Sequence, residues 1–530
     1  MELQLIIVQS LWSKPLFKRN SSSINDRYSG GWLHNRYHYL SWTLSCLLFR
    51  RYYDEVHLIT DQKGKEELID HLALPYTKVE SCLDKLQKYP PELWAVGKIF
   101  AYQRQKEPFL HVDGDVFIWR KFPAEFESAA LFVQSREIGF KHYGAVLNNV
   151  HRHFDYIPPV FARHRGEAIQ SVNAGIIGGT NVPFFQHYAS EALTFIERNR
   201  ECLHKVNMGL FNQIYEQYLF TCLAAERGID IQYYLPEMDE EFTQVLNFHR
   251  LPSIESYVHV VGSAKRNPLA CRQVEYRLRY EFPEYYERVL EFLREKKKVP
   301  VASPRRQQNN EEKEILSAFF PRTLFLLSHL NGKEQAVTAF DELKKIVHTK
   351  TGMEQMAGKA LSNTYLLEKK KYQVFLEKSE SPASDPFCDA EQVYRLMEEK
   401  DVDELLEAAL VLHPGAQLLE LDWYVSREQI KNLDQLVDDA FEELLRSGHQ
   451  EDADVLVYWD ADTSKVEEIL LEGWHALLLE FTTPTTGKEV FDALLEHFGE
   501  EIEDREKFKL KLVDFLTQSL VYHRLLMPAY

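Results

Sequence analysis

Apolar and polar residues alternate along residues 1–280 in blocks that suit strands and helices in turn. Leu3–Val8 is apolar but for Gln4 and predicts a buried strand, and Arg36–Tyr53 is helix-length. Glu55–Thr60 predicts a second strand that ends at Asp61. Lys65–Leu72 predicts a helix, Tyr76–Val79 a strand, Glu92–Gln105 a helix, and Pro108–Val112 a strand running into Asp113-Gly114-Asp115. Strands that alternate with helices predict an α/β domain around a parallel sheet. Ligands of such sheets bind beyond the carboxyl ends of the strands, where Asp61 and the Asp-Gly-Asp triplet both fall.

Past this block the pattern changes. Tyr276–Lys298 predicts a charged, aromatic-rich helix, and Pro300–Glu314 is rich in proline and polar residues with no apolar period. That stretch predicts a linker. The expected division is 1–298 as the α/β domain, 299–314 as linker, 315–450 as a helical domain and 451–530 as a small terminal domain. Glu391–Glu399 and Val402–Leu412 carry apolar residues at helical spacing, and a second polar break spans Ser379–Pro386. At the end, Trp474–Phe481 predicts a strand, while Thr486–Phe498 and Phe508–Leu520 predict helices with one apolar face each.

Composition narrows the function classes. No apolar run is long enough to span a membrane, and Leu5–Val8 lacks the basic flank of a signal peptide. The six cysteines form no C-x-x-C pair, so free thiols in a reducing, cytoplasmic setting are expected. A net charge of −19 disfavours a nucleic-acid surface. It leaves room for a local basic pocket that holds a diphosphate.

Asp113 and Asp115 follow the apolar strand directly, and two carboxylates one residue apart on a turn can converge on one hard cation. Gly114 permits the bend. Mg²⁺ or Mn²⁺ held this way neutralises a departing diphosphate. A surface turn is the plain alternative, and Asp460-Ala461-Asp462 after another apolar run shows how readily the triplet recurs. Downstream features set the first triplet apart. Asn173-Ala174-Gly175 enters an apolar run, and Glu216-Gln217 lies in a helical stretch. His259 stands three residues before Gly262 and six before Lys265. A neutral imidazole can ligate Mn²⁺, a glycine admits close approach of a phosphate, and a lysine holds it as a point charge.

The order strand-DxD, Asn-Ala-Gly, acidic-Gln, His-x-x-Gly-x-x-Lys resembles glycosyltransferase family 8, the glycogenin and lipopolysaccharide galactosyltransferase group, over residues 1–280. The resemblance implies a GT-A fold and a retaining transfer from a nucleoside-diphosphate sugar, UDP first among them. It implies Asp113, Asp115 and His259 as ligands of Mn²⁺ (or Mg²⁺), and Gly262 and Lys265 as holders of the diphosphate. Asn173 and Lys98 would contact the donor, Gln217 would lie near the anomeric carbon, and Glu216 is a conceivable nucleophile. Same-face attack assisted by the leaving phosphate is the family's usual course. Two departures stand out: Arg266-Asn267 replaces the family's Pro-Trp, and Val8–Trp12 lacks its base-reading aspartate. The loop Ser13–Gly31 fits an acceptor lid or an irregular excursion.

Residues 451–530 resemble the PqqD-like winged-helix domains of peptide-modifying enzymes, which would make the acceptor a captured peptide in place of a glycan. Other readings remain: a catalytically silent GT-A-like scaffold, or a nucleotidyltransferase. The latter lacks its glycine-rich signature, because Lys14, Lys18 and Arg19 are accompanied by no glycine within Ser10–Asn20.

Overall fold

The structure, a computed structural model, describes residues 5–17, 28–164, 169–238, 242–296, 311–331, 337, 340–350, 356–380, 387–426, 452–460, 465–499 and 502–529. Most of the expected linker, much of the Ser13–Gly31 loop, most of the Ser379–Pro386 break and two residues of the second Asp-x-Asp triplet lie outside them. The chain divides into two compact units, Met1–Pro300 and Val301–Tyr530.

The first unit is built on seven strands: β1 Ile6–Leu11, β2 Val56–Thr60, β3 Lys78–Ser81, β4 Phe109–Val112, β6 Leu131–Ile138, β7 Gln170–Gly179 and β8 Ile231–Glu237. Their order is β3-β2-β1-β4-β7-β6-β8. All neighbours run parallel except β7, which is antiparallel to both β4 and β6. A Rossmann-like α/β sheet is thus the architecture of this unit. β1 and β4 read as apolar runs because both faces of a central parallel strand are covered. The strand order reverses at β1, so its carboxyl end and that of β4 border one crevice.

A separate ribbon joins two segments far apart in this unit's sequence. β5 Val116–Ile118 pairs antiparallel with β9 Tyr257–His259, and Val116 stands opposite His259. The helix Asn35–Tyr52 packs across the Asp-Gly-Asp turn: Ser41 Oγ donates to the Gly114 carbonyl at 2.6 Å and Ser45 Oγ to the Val116 carbonyl at 2.7 Å. A Cβ on Gly114 would fall 2.4 Å from Cε2 of Trp42 on the same helix. The turn therefore rests on an indole face that no larger residue allows.

Several elements differ from expectation. Tyr276–Lys298 is two helices, Pro268–Glu281 and Pro283–Lys296, parted where Pro283 removes an N–H donor. Lys65–Leu72 is the π-helical turn Glu66–His71 after a short α-helix.

The second unit begins with the helices Glu311–Phe319, Pro321–Asn331, Phe340–Lys350, Met356–Glu380 and Phe387–Glu399. Val402–Leu412 is not one helix: the chain leaves it after Leu406 and Ala409–Leu412 is a strand. That strand pairs with Thr485–Thr486 and Leu526–Pro528. A second antiparallel sheet holds Gln417–Leu421, Ala453–Asp460 and Lys465–Leu470. The run Trp474–Phe481, expected as a strand, lies in a 3₁₀ helix, Gly473–Thr482. Short apolar runs suit either state, and here Phe481 and Leu478 alone are buried. Buried Arg322 ties this unit together, with bonds of 2.7 and 2.6 Å to Glu468 and of 3.4 Å to Glu368. No helix among the described residues is long and apolar enough to cross a membrane. All six cysteines are free thiols.

Candidate metal and nucleotide site

The crevice at the ends of β1 and β4 encloses a cavity of about 250 Å³. Lys98, Asp113, Asp115, Asn173, Gln217, His259, Gly262 and Lys265, all singled out from the sequence, line it. Glu216 does not: it is wholly buried behind the wall, 2.8 Å from Lys98 Nζ.

Asp113, Asp115 and His259 each offer one ligand atom, and these atoms lie within 4.8 Å of one another. The β5–β9 ribbon makes this possible, since the Val260 amide donates to the Asp115 carbonyl at 3.0 Å and sets His259 beside the turn. His259 Nε2 stands 3.6 Å from Asp115 Oδ1. Its other nitrogen, Nδ1, is 2.6 Å from Gln134 Oε1, an oxygen that also accepts from the Tyr257 hydroxyl at 2.8 Å. Two donors on one amide oxygen place the proton on Nδ1 and leave the Nε2 lone pair for a cation. Two carboxylates and a neutral imidazole fit Mn²⁺ or Mg²⁺ by donor type.

Two lysines balance the carboxylates. Lys98 Nζ lies 2.8 Å from Asp113 Oδ2 and bridges it to Glu216. Lys265 pairs closely with Asp115. Burial alone would raise the Asp115 carboxyl; Lys265 and His259 more than offset it and hold it well below the usual range. Burial, then Lys265 and Lys296, lowers His38 to about 3, so the cavity wall carries a neutral imidazole there. Gly262 has φ +56°, a conformation that disfavours other residues at the start of the turn leading to Lys265.

β7 closes the site from below. The Asp113 amide donates to the Gly175 carbonyl at 2.9 Å. A Cβ on Gly175 would lie 2.5 Å from His259 Nδ1 and 2.6 Å from Gln134 Oε1. Gly175→Ala is therefore expected to displace the His259 ring and weaken Mn²⁺ binding about tenfold or more, the scale of a disturbed outer ligand shell. Titration of Mn²⁺ by its paramagnetic resonance signal checks this; an unaltered affinity refutes the packing argument.

Glu137 was not foreseen. It lines the cavity from β6, and burial pushes its carboxyl up to about 7. Asn173 Nδ2 donates to its Oε1 at 3.0 Å, and the Tyr143 hydroxyl lies 2.6 Å from its Oε2 and 2.6 Å from Gln217 Oε1. One hydroxyl has one proton. With the Gln217 amide as placed, both contacts are hydrogen bonds when Glu137 is itself protonated and donates to Tyr143. Trp12, Trp32, Trp42 and Trp94 also line the cavity and make it markedly aromatic. One signal was available for part of this: His38, Ser41, Trp42 and Ser45 repeat at helical spacing on one face.

The fold and site define an α/β domain with a cation-competent cluster in its strand-end crevice. Over residues 5–292 the chain matches the family described as "Family of unknown function (DUF6734)", and it belongs to that family. No curated protein matches it. Among solved structures it is similar to the crystal structure of mouse xyloside xylosyltransferase 1 in its apo form. The identity is 11%, covering 44% of this chain and 85% of that chain, with a TM-score of 0.24. A likeness that slight carries no weight in assigning function, which rests on the residues themselves.

Proposed function

We propose that the first unit is a metal-dependent glycosyltransferase domain of GT-A type, moving a sugar from a nucleoside-diphosphate sugar to an acceptor with retention. One observation carries the reading: Asp113, Asp115 and His259 gather ligand atoms beside Lys265 in a cavity at the strand ends. The bound cation would supply charge neutralisation for the departing diphosphate. Lys265, held at the rim of the Gly262 turn, would bind the diphosphate oxygens and favour the same charge. Lys98 and Asn173 would hold the donor, and Gln217 would face its sugar. Glu216, being buried behind Lys98, would act by fixing that lysine. No residue is assigned as a covalent nucleophile, which agrees with same-face attack.

Thermal unfolding with UDP, GDP, ADP and CDP, each with and without Mn²⁺, tests the reading. A ligand that binds the folded state at 100 times its Kd stabilises it by about 2.7 kcal/mol. UDP with Mn²⁺ is expected to raise the midpoint of the first unit by several degrees, with little effect of either alone. No shift with any nucleotide would favour a catalytically silent scaffold and overturn the proposal.

A further inference from the structure

Three carboxyl groups line the cavity, and two of them, Asp113 and Asp115, belong to the cation cluster. The third, Glu137, forms no ion pair with a lysine or arginine among the described residues, whereas Lys98 and Lys265 are engaged by Asp113, Glu216 and Asp115. Its partners are neutral: Asn173 Nδ2 on one oxygen and the Tyr143 hydroxyl on the other. Tyr143 links it to Gln217, and Asn173 is itself fixed because its Oδ1 accepts from the Gly175 amide at 3.0 Å. Glu137 is 3% exposed, so its position is set by packing and these bonds together.

A carboxyl oxygen with one donor retains further acceptor capacity. The wall formed by Glu137, Asn173 and Gln217 thus offers acceptors to a ligand rich in hydroxyl donors. It offers no cation to a ligand that brings its own carboxylate. A ligand carboxylate set against this wall would be desolvated with only hydrogen-bonded, cation-free partners to meet it.

We propose that Glu137 reads a hydroxyl of the donor sugar, so that the site takes uncharged hexoses and rejects hexuronates. This rests on the glycosyltransferase reading above. Glu137 is a specificity residue in this account, separate from the groups that hold the cation and the diphosphate.

Isothermal titration in Mn²⁺ tests it, using UDP, UDP-glucose, UDP-galactose, UDP-N-acetylglucosamine and UDP-glucuronate against the wild-type chain and Glu137→Gln. At least one hexose conjugate is expected to bind wild type about tenfold or more tighter than UDP, the worth of a hydrogen bond to a buried ionisable group. UDP-glucuronate should bind no tighter than UDP. Glu137→Gln should lose most of the hexose advantage and leave UDP itself unchanged. Should that variant fail to fold, Glu137→Asp, with the carboxyl drawn back by one methylene, is expected to lose the same advantage.

Four results overturn the inference: UDP-glucuronate bound as tightly as the best hexose, no hexose conjugate tighter than UDP, an unchanged hexose advantage in both variants, or a loss of UDP binding in Glu137→Gln. Failure of the wild type to bind any of UDP, GDP, ADP and CDP with Mn²⁺ overturns the glycosyltransferase reading and this inference with it; if another of these binds in place of UDP, the same comparison is made with its sugar conjugates. The first four leave that reading standing.

Discussion

Asp115→Ala is expected to weaken the proposed Mn²⁺-dependent nucleotide binding by about a hundredfold or more and to leave the fold of the first unit in place. That is the largest effect the site predicts. Asp115 is the member of the cluster that meets both other parts of the site: Oδ1 faces His259 Nε2 at 3.6 Å and Oδ2 meets Lys265. Its removal deletes a ligand atom and also frees the lysine that would hold the diphosphate. Outer-shell changes alone are worth about 10- to 100-fold in metal affinity, so loss of a ligand should exceed them. The β5–β9 pairing and the Val260–Asp115 backbone bond need no side chain at 115, so the ribbon should stay in place, while the buried Lys265 left without its carboxylate should lower the unfolding midpoint without ligand. Asp115→Asn, which keeps the volume, should show nearly the same loss. Calorimetric titration decides: a variant that binds UDP and Mn²⁺ like wild type removes Asp115 from the site.

The second large effect concerns stability and pH. Burial raises the Glu137 carboxyl from 4.5 to about 7, with Tyr143 and Asn173 opposing it in part. An acid with a raised value in the folded state keeps its proton while the unfolded chain releases one. Between pH 4.5 and 7 the unfolded state is therefore increasingly favoured, and above 7 the difference is constant. Each tenfold difference in proton affinity between the folded and unfolded chain is worth about 1.4 kcal/mol, so the loss reaches ~3 kcal/mol. Glu137→Gln has no such titration. Relative to the variant, wild type should lose about that much stability between roughly pH 4.5 and 7.5. The midpoints of the two proteins should diverge across this range, with the variant the more stable at about pH 8. Parallel midpoints at every pH would show that Glu137 ionises in the folded chain as it does in the unfolded one.

Much of the first unit was legible because its signals are local. Apolar runs such as Phe109–Val112 are strands because they are covered on both sides, and a run of that kind is visible in the sequence. The Asp113 and Asp115 turn and the His259, Gly262, Lys265 spacing were likewise visible, since residue type and short separation carry their chemistry. Other features were not local. Leu131–Ile138 contains Gln134, Ser135 and Glu137, polar residues that carry no local sign of burial, yet all three are buried under neighbouring elements. Glu137 therefore gave no sign of a raised carboxyl, and Gln134 none of its hold on His259. Asp61, marked as a strand-end carboxylate, instead accepts from the Ser13 amide and hydroxyl and from the Gly64 amide, which commits it to holding the backbone.

The sequence by itself determined the alternation of elements, the strand-end position of the paired aspartates and the kind of ligand their chemistry suits. Only the tertiary structure decided which groups share a cavity. The reason is physical. His259 reaches Asp115 through a strand pairing between distant segments, and Glu137 owes its raised carboxyl to desolvation by neighbours far along the chain. Neither pairing register nor local dielectric is encoded in any short window of residues; both exist only once the layers have packed.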